Sequence, residues 1–389
     1  MFSSRLPHPA ARNRLWSAVE RRKSRGLPIA DLTLSNPTRA GFTYPPALLA
    51  PMADSRGLCY DPDPFGIPSA RAAIAVEIAR CGASIPASHV VLTASTSEAY
   101  SLLFKLLCDP GDAVIAPRPS YPLIAHLTGL DAVSLEHYTL EFHGRWTIDV
   151  QELEEKLRGG KVRAILMVSP NNPTGSIVAN AELDAVADLA CRYDAVLIAD
   201  EVFADYAMTG ARPVSVLRKS TALTFALGGL SKAIGLPQAK LGWIAVGGPP
   251  ELVAEALDRL ETICDAYLSV STPVQLAAPE LLRQGAAVRE QIQRRVRENH
   301  ARLLVIASSY PECSVLPVEG GWYGVVRVPA VKPEESIVLD LLDRTGVLVH
   351  PGYFFDFDRD AFLVVSLLPE TPLFEEAVQA MFAAAGESR

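Results

Sequence analysis

The sequence lacks several features that would have fixed its class at once. No apolar run approaches the roughly 18–20 residues that a membrane-crossing helix needs. The six cysteines, Cys59, Cys81, Cys108, Cys191, Cys264 and Cys313, are scattered and form no C-x-x-C pair. That excludes a zinc ribbon or thioredoxin-type site, and it fits a reducing, cytoplasmic compartment. Positive charge is not in excess: 36 Lys and Arg stand against 44 Asp and Glu, a formal net charge of −8. Neither nucleic acid nor a membrane surface is therefore an expected partner, and no metal site is expected. Repeats and low-complexity linkers are missing. The first residues also lack the apolar core of a signal peptide. Arg12, Arg14, Arg21, Arg22 and Arg25 would suit a transit peptide. Glu20 interrupts them, and the segment runs straight into folded-looking sequence, so an amphipathic arm or helix is expected.

What is present is a globular composition. Hydrophobic residues at 49% and charged residues at 21% exclude wholesale disorder. A chain of 389 residues suits two or three compact units with a large core. In the middle of the chain, short apolar runs alternate with amphipathic helical patterns. Such alternation implies crossover connections and a largely parallel sheet. The segments around 73–82 and 97–112 read as helices closed by Gly82 and by Pro110-Gly111. After about Pro273 the pattern changes to long charged helices, strand-like pieces and a last helix over 372–386. This reads as a smaller α+β domain.

Four segments sit where predicted strands end, which is where ligands gather in open α/β sheets. Lys232 lies in the turn 228–235; held out of water it could form a Schiff base, and otherwise it is a surface lysine. Asp200 follows a buried run and needs a cationic partner, either a protonated pyridine nitrogen or a structural Arg. Asn172, within 169–175, is either part of a rigid turn or an amide donor to a ligand oxygen. Ser95 and Thr96 open a helix whose N-terminus could take a phosphate, or Ser95 is a simple N-cap with Glu98.

Asn172, Asp200 and Lys232 follow one another at separations of 28 and 32 positions. Together with the Asn172-Pro173-Thr174-Gly175, Asp200-Glu201 and Ser231-Lys232…Gly242-Trp243 blocks, this order resembles the class I and II aminotransferases. That is the aspartate-aminotransferase-like, fold-type I family of pyridoxal-phosphate enzymes. The likeness runs from about Asp31 to the last helix. It implies an α/β fold: a large domain with a mainly parallel seven-stranded sheet sandwiched by helices, plus a smaller α+β domain. The expected division is an arm at 1–45, a cofactor-binding domain at 46–275 and a C-terminal small domain at 276–389.

The resemblance also implies roles. Lys232 would hold pyridoxal 5'-phosphate through a Schiff base and act as the catalytic base. Asp200 would pair with the pyridine nitrogen and Asn172 with the phenolic oxygen. Tyr121 would stack on the ring. Ser95, Thr96 and Ser231 would contact the phosphate. Tyr60 would reach the neighbouring subunit's cofactor, which requires at least a homodimer.

Three departures stand out. Lys240 occupies a position where the family has a phosphate-binding Arg, so the charge remains but the bidentate fork is lost. Phe203 replaces a tyrosine whose hydroxyl would lower the Schiff-base pKa; a higher value is expected, with Tyr206 read as packing. Val364 replaces the Arg that clamps the substrate carboxylate. Arg327 and Arg39 are the candidate replacements, and Asn36 is a candidate substrate contact beside Arg39. Trp322, Tyr323, Tyr353, Phe354 and Phe355 hint at an apolar or aromatic substrate pocket. The expected reaction is ping-pong amino transfer between an amino acid and a 2-oxo acid. The alternative is a C–S β-elimination lyase or an amino-acid oxidase or cyclase on the same scaffold.

Overall fold

The computed structural model describes residues 3–6, 13–208, 213–219, 221–359 and 361–386. Arg12 of the basic N-terminal segment lies outside them. In chain order the strands are β1 (Ala30–Asp31), β2 (Val90–Thr93), β3 (Ala113–Arg118), β4 (Ser134–Phe142), β5 (Trp146–Ile148), β6 (Val162–Val168) and β7 (Val196–Asp200). They continue with β8 (Thr224–Gly229), β9 (Gly242–Gly247), β10 (Ser314–Val315), β11 (Tyr323–Arg327), β12 (Val347–Leu348), β13 (His350–Pro351) and β14 (Phe362–Ser366).

The large sheet has eight strands in the order β2-β9-β8-β7-β6-β3-β4-β5. Its centre, from β8 through β4, is parallel. The strand count exceeds the expected seven because β5 folds back on β4 as a short antiparallel hairpin. Gly144, at φ 86°, makes that turn in the left-handed region that glycine enters without a steric penalty. The central strands read as continuous apolar runs because helices cover both faces. Every residue of β2, β8 and β9 is buried.

This topology brings distant segments to one edge. β3, β6, β7 and β8 run the same way, so their C-terminal ends align. β9 is antiparallel to both β8 and β2, and its register pairs Gly242 with Gly229 on one side and Thr93 on the other. The start of β9 and the end of β2 therefore lie on the same edge as the end of β8.

The helix Thr272–Ala307, 36 residues long, crosses the expected boundary after residue 275. It packs on the helix Pro68–Arg80 at one end and on the helix Thr371–Gly386 at the other. The second sheet is antiparallel, in the order β10-β11-β14-β13. The N-terminal helix Arg14–Ser24 packs on the helix Glu334–Thr345, buries Leu15 and Val19, and places Arg14 at 2.7 Å from Glu335. Residues 14–24 thus form an amphipathic helix laid on the helix Glu334–Thr345. No helix among the described residues is long and apolar enough to cross a membrane.

Candidate active site

A cavity of ≈ 790 Å³ opens between the aligned strand ends and the second sheet. Ser95, Thr96, Tyr121, Asn172, Asp200, Ser231 and Lys232 all line it. Residues more than 130 positions apart in sequence are brought together because their strands end on one edge.

Lys232 sits in the one-turn helix Leu230–Ala233 that follows β8. Its Nζ lies 4.8 Å from the Trp322 ring centroid and 5.8 Å from that of Phe203. Burial lowers its pKa, and the Asp200 charge opposes the shift. The neutral amine, the nucleophilic form, is thereby favoured. Tyr206 is buried behind this turn and its hydroxyl donates to the Lys232 carbonyl oxygen at 2.6 Å. It fixes the lysine's backbone and does not line the cavity, in keeping with a packing role.

Asp200 ends β7. Burial raises its pKa, while the Val202 amide, the Tyr100 hydroxyl and the Lys232 charge pull it down. The Tyr100 hydroxyl donates to Oδ2 at 3.2 Å, and the Val202 amide donates to Oδ1 at 3.2 Å. A structural Arg, the alternative partner, is not on this wall among the described residues. A buried carboxylate so held suits a cationic N–H from a ligand. Sequence reasoning missed Tyr100. Its spacing of four from Thr96 on one helix was the available signal.

Asn171 and Asn172 divide their labour. Asn171 Nδ2 donates to the Pro119 carbonyl at 3.1 Å and to Thr174 Oγ1 at 2.8 Å, and its Oδ1 accepts from Ser120. That network pins the loop after β6 to the loop that carries Tyr121. Asn172 is left facing the cavity, and its buried Oδ1 has no hydrogen-bond partner among the described residues. At the other end, Ser95 caps the helix Thr96–Leu107 by accepting from the Glu98 amide at 3.2 Å, and Glu98 accepts from the Ala94 amide at 2.5 Å. The capping box and an anion seat coexist here, because further N–H groups of the first turn remain. Gly242 matters for the same seat: a Cβ there would meet the Ser95 carbonyl carbon and Thr93 Oγ1 at 3.0 Å.

The second sheet supplies Tyr323 and His350, the helical turn Gly352–Phe355 after β13 supplies Phe354 and Phe355, and Thr33 and Ser35 join them from the arm. Three of the five aromatics expected here are thus on the wall. Trp322 is buried behind it against Lys232, and Tyr353 does not line it. His350, Thr33, Ser97 and Ser120 were missed; nothing in their local sequence marked them.

Other expected residues are not brought to the wall. Arg327 is exposed at the far end of β11, four residues from Tyr323, which is about 13 Å along a strand. It does not line the cavity. Arg39 is exposed and outside the wall. Asn36 spends its Oδ1 on the Thr38 amide and hydroxyl, capping a short turn. Val364 is fully buried. Lys240 has an exposed side chain on a left-handed backbone at φ 54°, beside the wall residues Leu241 and Gly242. Tyr60 is 57% exposed and absent from this chain's own cavity.

The family model described as aminotransferase class I and II matches residues 45–380. The glutamate-pyruvate aminotransferase AlaA of Haemophilus influenzae is 26% identical over 371 residues, 92% of this chain and 91% of that protein. The alanine aminotransferase of Mycobacterium tuberculosis is 27% identical over 361 residues, 90% of this chain and 83% of that one. Among solved structures, the alanine aminotransferase from Pyrococcus furiosus aligns with a TM-score of 0.89 at 24% identity, covering 98% of this chain and 99% of that chain. A Thermus thermophilus aspartate aminotransferase variant aligns with a TM-score of 0.86 at 21% identity, covering 99% of both. These structural matches speak to the fold, and the family match to the lineage. The chain belongs to the class I and II aminotransferases and is an enzyme of amino-group transfer.

Proposed function

We propose that this enzyme uses pyridoxal 5'-phosphate to move an amino group between an amino acid and a 2-oxo acid by a ping-pong mechanism. The observation that carries the reading is the buried Asp200 facing the same cavity as a lysine whose proton burial weakens. The cavity-facing amide of Asn172 and the small-residue seat at Ser95, Thr96 and Gly242 fit the same cofactor. When bound, pyridoxal phosphate supplies an electrophilic carbonyl carbon and a ring that draws electrons from the substrate.

The chain's own residues do the rest. Lys232 Nζ would anchor the cofactor covalently and, when free, would take the proton from the substrate's α-carbon. Asp200 would hold the ring N–H and favour its charged form. Asn172 would donate to the phenolic oxygen, Tyr121 would cover the ring face, and Ser95, Thr96 and Ser231 would hold the phosphate. Lys240 steadies the phosphate as a point charge without the fork of an Arg. Phe203 contributes apolar surface beside Lys232 and no hydroxyl.

Tyr60 reaches the neighbouring subunit's cofactor in a homodimer. Leu58 (91%) and Leu268 (85%) are exposed, and the loops that carry them are joined by a bond from Ser269 Oγ to the Asp63 carbonyl. Two exposed leucines on joined loops support burial against a second copy. Six scattered cysteines with no C-x-x-C pair support a cytoplasmic location.

Borohydride reduction followed by peptide mapping tests the cofactor assignment. The expected product is a single phosphopyridoxyl adduct on Lys232. Protein purified with added pyridoxal phosphate that leaves Lys232 unmodified would overturn it.

A further inference from the structure

We infer that His350 and Tyr323 together seat the substrate's α-carboxylate, in a chain whose sheet offers Val364 between them. This rests on the aminotransferase reading.

Register places both side chains. Tyr323 pairs with Ser366 across β11 and β14, and His350 pairs with Val364 across β13 and β14. Directly paired residues share a face, and Val364 and Ser366 are two apart, so all four lie on one face. Val364 is fully buried and Ser366 Oγ is used on the Leu34 carbonyl, which leaves Tyr323 and His350 to present polar atoms to the cavity. The face shares a cavity with the reacting amine: Tyr323, His350 and Lys232 all line it. An α-carboxylate is one bond from the carbon that bears the amine, so its seat must be nearby.

The choice of cation is narrow. Among the described residues, the basic side chains on the cavity wall are Lys232 and His350. Lys232 is committed to the amine. Ser35 lies on the same wall as Tyr323, whose phenol carries an O–H to give. The His350 ring is braced edge-on by Phe355 at 5.7 Å.

Burial lowers the His350 pKa, and Asp31 opposes the shift. Asp31, on β1, is the charge that acts on the ring; its Oδ1 accepts from the Thr33 amide at 2.8 Å. Glu334, on the helix behind β13, spends its carboxylate on the Tyr353 and Phe362 amides. β14 presents the apolar Val364. Burial thus favours the neutral imidazole, and an arriving carboxylate favours the charged one, so binding should draw a proton to the ring.

The test uses pyruvate and 2-oxoglutarate, which carry the carboxylate without an amine that titrates. Each is titrated calorimetrically into cofactor-loaded wild type, His350→Gln and His350→Asn, in two buffers of different ionisation enthalpy. Retention of the cofactor's visible band shows that each variant's site is intact. Wild type is expected to take up about one proton on binding at pH 7.5–8, with affinity falling as pH rises. Both variants should bind at least about tenfold more weakly, with no linked uptake. Y323F should bind more weakly yet keep the uptake. Equal affinity in wild type and variants, wild-type binding without proton uptake, or no binding to wild type overturns the inference. Failure of borohydride to label Lys232 is a separate result and overturns the cofactor reading instead.

Discussion

The wall of the cavity that comes from the large sheet and the wall from the small sheet meet over Lys232, yet they carry opposite kinds of residues. The large-sheet wall holds Asp200, Asn172, Ser95, Thr96, Ser231 and Lys232. Each is held by a strand end, a capping box or a loop network, and each suits an atom of a fixed cofactor. The small-sheet wall holds Tyr323, His350, Phe354 and Phe355, which suit a variable substrate. In the proposed reading, one wall performs the chemistry and the other decides what enters it.

Variants should divide along that line. Lys232→Ala removes both anchor and base; turnover should fall by about four orders of magnitude with every donor alike, measured in single-turnover half-reactions. Asp200→Asn keeps the shape and loses the charge, and kcat should fall about 10²–10³-fold, again for all donors. Tyr100→Phe leaves that carboxylate in place without one of its donors and should cost about tenfold in kcat at nearly unchanged cofactor content. On the facing wall, Phe354→Ala should leave kcat for small donors within about twofold. It should change the kcat/KM ratio between leucine and alanine by about tenfold. A uniform loss across donors in the Phe354 variant would break the comparison.

The smallest expected effect concerns stability. Glu201, next to Asp200, is pushed up to about 7 by burial, against the pull of the Val216 amide and the Ser215 hydroxyl. A raised folded value means that the folded state binds this proton more tightly than the unfolded chain. The stabilisation is complete below the unfolded value of about 4.5 and is lost as pH rises through about 7. Glu201→Gln should therefore be relatively more stable than wild type at pH 8 than at pH 5, by about 1–2 kcal/mol in denaturant midpoints.

How much was legible follows the same division. Asn172, Asp200 and Lys232 each end a hydrophobic run, so position along the chain already implied position on the sheet edge. Ser95 and Thr96 were readable because a helix start has its own chemistry. Tyr100 was hidden by register: only the helix of Thr96–Leu107 brings it beside Asp200, on a strand 100 positions later. His350 was hidden more deeply. It belongs to a two-residue strand, too short to show a period, and its partner Val364 lies across an antiparallel pairing that the sequence does not announce. Arg327 failed for the converse reason. Its strand was read correctly, but a charge at the end of β11 remote from Tyr323 lies outside the cavity. The eighth strand was missed because three residues after a glycine turn carry almost no periodicity.

The central claim is amino transfer on pyridoxal phosphate, and one titration tests it directly. Amino acids are added singly to the cofactor-loaded enzyme while its absorbance is followed. The account predicts that at least one donor moves the visible band into the near ultraviolet, releases one equivalent of its 2-oxo acid, and leaves a form that a second 2-oxo acid restores. A band that persists while ammonia or peroxide appears, with no 2-oxo acid able to reset it, would contradict the account and point to elimination or oxidation.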